Sequence, residues 1–130
     1  MQKIFNEHLY TPELQRYLNK LDQDNISYKS MIIFITPDKF FNLTATNTKS
    51  LLLQLQRDEK DQARVQAITK KISTGEALPI PVISVLDNKF FDGWHRMYAL
   101  KIKYPYYRFP VLFIYNDMAT LYNFYGGKNE

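Results

Sequence analysis

The chain has 130 residues and a mass of 15.5 kDa, the size of one domain with a short appended element. Its lack of cysteine excludes disulfides, zinc–thiolate centres and thiol nucleophiles, and its two histidines are too few for a histidine-rich metal centre. The formal charge is +4, and residues 66–130, with 8 basic and 5 acidic residues, carry +3 of it, which is compatible with an anionic partner. No apolar run reaches the roughly 18 residues that cross a bilayer, and the chain start has no signal-peptide core. We therefore expect a cytoplasmic protein with no membrane partner.

Residues 1–30 are predicted to form an N-terminal helical extension. Thr11 is a suitable N-cap, and Pro12 suits the first helical position. The apolar residues after it recur with helical spacing and form one stripe: Leu14, Tyr17, Leu18 and Leu21. Such a stripe predicts either a helix that packs on the main domain or an arm that binds a protein partner or a second copy of the chain.

The rest of the chain alternates between strand-like and helix-like segments. Residues 31–36 form a short apolar run that predicts a buried strand, and residues 40–44 are expected to continue as a second extended piece. Residues 58–73 predict the clearest helix, because acidic residues lie at its start, lysines lie at its end, and Gly75 comes next as a stop. Further predicted elements are a short helix over 51–55, a strand over 78–86, a hairpin partner at 90–91, a strand over 109–115 and an amphipathic tail around 118–122. This order predicts a mixed α+β fold.

The segment Asp92–Leu100 permits two local structures. Its residues alternate in a way that a strand allows, and Asp92-Gly93 would then be a hairpin turn. In the helical alternative, Met97, Leu100 and Tyr104 share one face. The pattern alone does not decide between them.

A strand that turns directly into a helix at Asp92-Gly93 would give this segment a chemical role. Such a helix start points its first N–H groups outward and binds anions, and glycine allows a close approach because it has no Cβ. There Arg96 can contact a phosphate through two hydrogen bonds, and His95 can donate a hydrogen bond or transfer a proton. Asp92 can bind the Mg²⁺ of a nucleotide or act as a base. The structural alternative is an ordinary Asp-Gly turn.

Two boxes of residues resemble the ParB/sulfiredoxin-like superfamily, over residues 31–115. The first box is Gly-x-x-x-Pro-Ile-x-Val at a helix end and strand start, which Gly75–Val82 matches. The second is a strand followed by Asp-Gly-x-His-Arg-x-x-Ala at a helix start, which Asp92–Ala99 matches. The resemblance implies a ParB/sulfiredoxin-like domain over residues 31–130, in which a small mixed sheet has flanking helices and the core covers 31–115.

In this superfamily the two boxes line a nucleotide or phosphate pocket. The resemblance implies that Gly93, His95 and Arg96 hold phosphates and that Gly75–Pro79 lies near a nucleotide, either ATP, ADP or CTP, with Mg²⁺. Trp94 stands where sulfiredoxins have a cysteine, which excludes sulfinic-acid repair. The 130 residues leave no room for the helix-turn-helix domain of chromosome-partition proteins, so we do not expect a partition role. The Asp-Gly-His-His-Arg box of free-serine kinases is more similar, although Trp94 replaces its first histidine.

Two residues of these boxes have two interpretations each. Glu76 is either a catalytic carboxylate at the pocket mouth or a solvated loop residue after a helix end. Trp94 either stacks on a nucleobase in the pocket or packs in the core.

A second candidate surface comes after the second box, where basic and aromatic residues alternate: Lys101, Lys103, Tyr104 and Arg108. This pattern is typical of single-stranded nucleic-acid binding, and the alternative is a helix end whose charges stay in solvent. Three functions are therefore open. The first is a nucleotide-binding domain with Mg²⁺-dependent phosphotransfer or nucleotide hydrolysis, in which Asp92, His95 and Glu76 are the catalytic candidates. The others are a nucleic-acid-binding protein or nuclease of the same fold, and a non-catalytic interaction or inhibitor protein of a mobile element.

Overall fold

Helices lie on both faces of a four-stranded sheet, as shown by a computed structural model that describes residues 3–127. The strands are β1 (Phe5–Asn6), β2 (Lys29–Ile35), β3 (Leu78–Pro79), β4 (Val82–Ser84), β5 (Phe90–Asp92) and β6 (Phe109–Tyr115). The helices are α1 (Pro12–Gln23), α2 (Pro37–Thr44), α3 (Thr48–Arg57), α4 (Glu59–Ser73), α5 (Trp94–Lys103) and α6 (Met118–Gly127). The mixed α+β class is confirmed. Within residues 3–127, no helix has the length and apolar character needed to cross a membrane.

The sheet has the strand order β2-β6-β4-β5. Strand β6 pairs antiparallel with β2 and parallel with β4, and β4 pairs antiparallel with β5 in a hairpin. Strands β1 and β3 form a separate parallel pair. The hairpin brings the end of β5 next to the start of β4, so α5 begins beside Pro81, the residue that precedes β4.

Successive residues of the central strands pack alternately into two different hydrophobic cores. In β6, Val111 and Phe113 belong to one core, whereas Leu112 and Ile114 belong to the other. This alternation results from the two-residue period of a strand. Helices α2, α3, α5 and α6 contribute to the first core, and α1 contributes to the second. The central strands β4 and β6 are therefore buried on both faces of the sheet.

Helix α1 is an integral part of the second core. Thr11 is its N-cap, as predicted, and the Tyr17 ring stacks on Phe90 with ring centroids 4.7 Å apart. The Tyr17 hydroxyl donates to the Asn88 carbonyl and is 2.6 Å from the Ser84 hydroxyl. Burial raises the pKa of Tyr17, and the hydrogen bond with Ser84 opposes that shift.

The apolar stripe of α1 therefore packs on the rest of the chain. Leu14 and Leu21 are fully buried there, which confirms the packing interpretation of the stripe, and binding of a partner or a second copy through this helix stays a prediction. Phe5 is buried in the first core, so residues 5–21 contribute to both cores. These contacts join residues 5–21 closely to the rest of the molecule, and the boundary at residue 30 stays a prediction.

The predicted helices over 51–55 and 58–73 and the strand over 109–115 are confirmed. The extended piece over 40–44 is wrong, because these residues belong to α2. The Thr36 hydroxyl accepts from the Lys39 N–H and Pro37 occupies the first turn, which together form a helix start. Thr36-Pro37 is thus the same helix-start signal in the sequence as Thr11-Pro12.

The predicted strand over 78–86 is two strands. Pro81 has no N–H for a ladder, and β3 pairs with β1 while β4 enters the sheet. The Pro81 carbonyl nevertheless accepts from the Leu112 N–H, which anchors the break to β6.

Replacing Leu14 by alanine tests whether α1 is part of the core. Leu14 is 0 % exposed, so we expect L14A to lower the free energy of unfolding in urea by about 2–5 kcal/mol. The control is L9A, since Leu9 is 41 % exposed and its change should stay within about 0.5 kcal/mol. Equal effects of the two variants would contradict the placement of α1.

Candidate functional site

A cavity of about 410 Å³ lies at the junction of β5 and α5. Its walls come from four parts of the chain: the start of α1, one face of α4, the segment around β3, and the residues from Phe91 to Arg96. The charged lining residues are Glu13, Arg64, Lys71, Asp92 and Arg96, which sum to +1 with His95 neutral. The second box of the sequence is thus confirmed as a helix start and lies on a concave surface.

The start of α5 has no side chain that caps it. Gly93 is the N-cap residue and has no side chain to accept a hydrogen bond. The first hydrogen bond of the helix joins the Met97 N–H to the Gly93 carbonyl at 2.9 Å, so the N–H groups of residues 94–96 have no acceptor within the helix. These donors and the helix dipole make this end of α5 electropositive.

Gly93 is required by the backbone and by its neighbours. Its φ angle is +131°, which side-chain-bearing residues rarely adopt. A Cβ at this position would lie 2.8 Å from the Cβ of Pro81. The glycine thus allows β5 and α5 to pack closely on the start of β4. This packing accounts for a glycine at position 93 even without a ligand.

Asp92 joins the N-terminal segment to α5. One carboxylate oxygen accepts from the Thr11 hydroxyl at 2.5 Å, and the other lies 2.9 Å from Nη2 of Arg96. Arg96 also donates to the carbonyl of Pro79. Since both oxygens of Asp92 have partners, its first role is to hold these elements together.

Arg96 is a buried cation with a carboxylate partner. Its side chain is 8 % exposed, and burial lowers its pKa while the charge of Asp92 raises it. Two of its donor groups are used within the protein. A ligand in the cavity would therefore meet the edge of an anchored guanidinium.

His95 pairs with a carboxylate that the sequence interpretation missed. Its Nε2 lies 2.8 Å from Oδ1 of Asp61 on α4, and both side chains are largely buried. The other oxygen of Asp61 accepts from the Gln54 amide at 3.2 Å. The hydrogen bond from His95 is the largest cause of a lowered Asp61 pKa, followed by the bond from Gln54.

One face of α4 forms a wall of the cavity. Arg64, Ile68 and Lys71 line it, and they recur at the i, i+4, i+7 spacing of a helix face. Asp61 precedes Arg64 by three residues on the same face. The sequence prediction of this helix rests only on its charged ends and its stop, although the same spacing, counted from Asp61, places three charged residues on one face: Asp61, Arg64 and Lys71.

Trp94 both packs in the core and lines the cavity. Its indole N–H donates to the Thr44 hydroxyl at 2.9 Å, and its ring packs on the first core. It also belongs to the cavity wall. Both interpretations of Trp94 therefore have a structural basis, and its stacking on a base stays a prediction.

The structure does not bring every predicted site residue into the cavity. Pro79 lines it, but Gly75 and Glu76 lie at the exposed end of α4 and are not part of its wall. Gly75 has a φ of +78° and serves as the predicted helix stop.

The predicted nucleic-acid surface lies outside the cavity wall. Lys101 forms an ion pair with Asp38, and Lys103 lies over the Tyr104 ring, with Nζ 5.7 Å from the centroid. Arg108 lines a different cavity beside Phe34. These contacts do not join the four predicted residues to Asp92 and His95.

Five polar residues of the cavity wall or of the His95–Asp61 pair were not predicted: Thr11, Glu13, Asp61, Arg64 and Lys71. Thr11 and Glu13 belong to the predicted extension, and only the Thr11–Asp92 hydrogen bond and the lining of the cavity show their place. Comparison with known proteins finds no matching family model, curated protein or solved structure.

Replacing Gly93 by alanine tests the tight turn. We expect G93A to lower the free energy of unfolding by about 1–3 kcal/mol, because of its positive φ and the overlap with Pro81. The control is G126A in α6, where an added Cβ meets nothing within 4 Å and a helical alanine is neutral or stabilising. A tolerated G93A would refute the close packing.

The lowered pKa of Asp61 predicts a pH-dependent stability. Because its folded pKa lies below the usual 3.8, its pairing stabilises the protein above that pH and is lost as the pH falls through the folded pKa. We expect D61N to cost about 1 kcal/mol at pH 7. That difference should shrink below pH 4 in urea titrations, and a difference independent of pH would contradict the pairing.

Proposed function

We propose that this protein is a phosphate-binding domain of the ParB/sulfiredoxin-like kind that takes a nucleotide in the cavity at the start of α5. The observation that carries the proposal is the uncapped start of α5 opening into a cavity lined by Arg64 and Lys71. Backbone N–H groups at a helix start and nearby cations are the two features that phosphate sites share.

The charges of the cavity support an anionic ligand. Arg96 and Asp92 neutralise each other, and His95 is paired with Asp61. Arg64 and Lys71 remain at the exposed wall against a single carboxylate, that of Glu13. An anion adjacent to α5 would thus meet two cations and the positive end of a helix dipole.

The uncharged part of the wall supports a ligand with an apolar or aromatic portion. Ile68, Leu78, Phe91 and Trp94 line the same cavity as the cations. Its size lies within the range of about 300–1,000 Å³ that small-molecule sites occupy. A nucleotide combines these features, since a base can contact the aromatic wall while phosphates bind at the helix start.

The resemblance of Asp92–Ala99 to the superfamily box supports the same location. The glycine, histidine and arginine of that box lie together at the cavity, as a phosphate-binding turn requires. This is the basis for proposing ATP, ADP or CTP as ligands.

Magnesium fits this site less well than phosphate does. Both oxygens of Asp92 are bonded to Thr11 and Arg96, and the part of the chain that the structure describes holds no group of three metal-binding side chains. The protein side chains alone do not form a cage for the ion. We therefore propose binding and derive no phosphotransfer step through a metal.

Calorimetric titration with ATP and with inorganic pyrophosphate tests the proposed function. We expect both to bind at low salt, and we expect R64A and K71A each to weaken binding by about tenfold, since each removes a charged hydrogen-bond donor. K70A is the matched control, because Lys70 is the neighbouring lysine on α4 but does not line the cavity.

The absence of heat for every phosphate ligand would refute the proposal. An equal loss in K70A and K71A would show that the binding is a general charge effect. A gel shift with single-stranded DNA that is abolished by K103A but not by K71A would instead favour the nucleic-acid alternative.

A further inference from the structure

The Asp61–His95 pair joins α4 to α5, and its geometry also suits a role in ligand binding. His95 lies in the first turn of α5, next to the N–H groups of residues 94–96, and lines the cavity. Its Nε2 faces away to Asp61 at 2.8 Å. Among the described residues the remaining ring nitrogen, Nδ1, has no hydrogen-bond partner, and it is not a buried unsatisfied atom, so it is open to a ligand.

Asp61 is held rigidly enough to orient a ring. Its Oδ1 contacts His95, its Oδ2 accepts from Gln54 on α3, and its backbone N–H donates to the side chain of Asp58, the N-cap of α4. These three bonds fix the carboxylate relative to α3, α4 and α5 at once. The His95 and Asp61 side chains are only 20 % and 16 % exposed, which limits competition from water.

We propose that Asp61 is a positioning residue that keeps a proton on Nε2 of His95, so that Nδ1 takes up a proton and donates it in a hydrogen bond when a phosphate group binds at the start of α5. The proposal rests on the proposed function for its ligand. It adds a regulation to that site, because phosphate binding is then linked to proton uptake and weakens as the pH rises.

The chemistry of the two groups supports this assignment. An ionised carboxylate can only accept hydrogen bonds, so Nε2 must carry the hydrogen in the pair. The lowered pKa of Asp61 keeps it ionised throughout the range in which an imidazole titrates. A neutral His95 thus has its lone pair on Nδ1, and a phosphate dianion nearby favours protonation of that atom.

The other charged groups near His95 do not replace Asp61 in this role. Asp92 and Arg96, on its own segment, bind each other. Arg64, from α4, is a cation that attracts the same phosphate and cannot accept a hydrogen bond. Gln54, from α3, contacts Asp61 and is not titratable.

Two measurements on the full chain test the proposal. The first is the ¹⁵N NMR of the imidazoles without ligand; the chain has only His8 and His95, so H8Q assigns the signals. We expect the Nε2–H tautomer for neutral His95 in the wild type and a mixture of tautomers in D61N. The second is titration with pyrophosphate at pH 7 in buffers of different ionisation enthalpy, which gives the number of protons taken up.

The matched control for D61N is D58N. It makes the same change of charge on the same helix, and asparagine preserves the N-cap of α4. We expect proton uptake in the wild type and in D58N, a loss of uptake in D61N, and no uptake in H95Q. Thermal unfolding confirms that each variant is folded, and D61S, which also removes the carboxylate, replaces D61N if the latter is not.

The outcomes separate this inference from the proposed function. Pyrophosphate binding with equal proton uptake in the wild type and D61N overturns the role of Asp61 and leaves the phosphate site intact. A neutral His95 with its proton on Nδ1 in the wild type also overturns it. Failure of the wild type to bind pyrophosphate or ATP overturns the proposed function and this inference together.

Discussion

The interaction on which the rest of the site depends is the pair of contacts made by the Asp92 carboxylate. Asp92 ends β5, and it bonds both to Thr11, the N-cap of α1, and to Arg96 in the first turn of α5. Arg96 in turn donates to the carbonyl of Pro79 in β3. One carboxylate thus fixes the relative positions of the N-terminal segment, the β4–β5 hairpin and the helix start. Apart from the face of α4, the walls of the cavity are parts of these same elements.

This arrangement separates the structural charges from those left for a ligand. The buried charges, Arg96 and Asp92, satisfy each other, as buried ions must. His95 is likewise held by Asp61. The cations that line the cavity with exposed side chains are Arg64 and Lys71, on the same helix as Asp61, and Glu13 is the one exposed carboxylate among the lining residues. The positive character of the proposed site therefore comes from α4 and from the start of α5, and not from the arginine of the box.

Much of the fold could be predicted from the sequence where local signals were strong. Thr11-Pro12 predicted the start of α1, and the apolar run at 109–115 predicted β6 with its observed bounds. Residues 40–44 were mistaken for extended structure because two adjacent phenylalanines outweighed the cap at Thr36. The break in the strand over 78–86 depends on the pairing of β3 with β1, a contact between residues more than 70 positions apart, which no local pattern reveals.

In the site, too, local sequence signals predicted some residues, whereas long-range packing determined the others. Gly93, His95 and Arg96 lie within four residues of each other, so one short motif predicted that they share a surface. Thr11 reaches this surface from the start of α1 and Lys71 from α4, and Asp61 of α4 contacts His95, so their contribution depends on how these two helices pack. Glu76 is predicted from its position in the first box, but its side chain is exposed and does not line the cavity.

The most direct test of the account is a two-dimensional ¹H–¹⁵N NMR titration of the wild-type chain with pyrophosphate. The account predicts that the largest shifts occur at the amide groups of Trp94, His95 and Arg96, because these are the donors at the start of α5 without an acceptor in the helix. Side-chain signals of Arg64 should move with them. Shifts confined to residues 101–108, or no shifts at saturating ligand, would contradict the claim that the start of α5 binds phosphate.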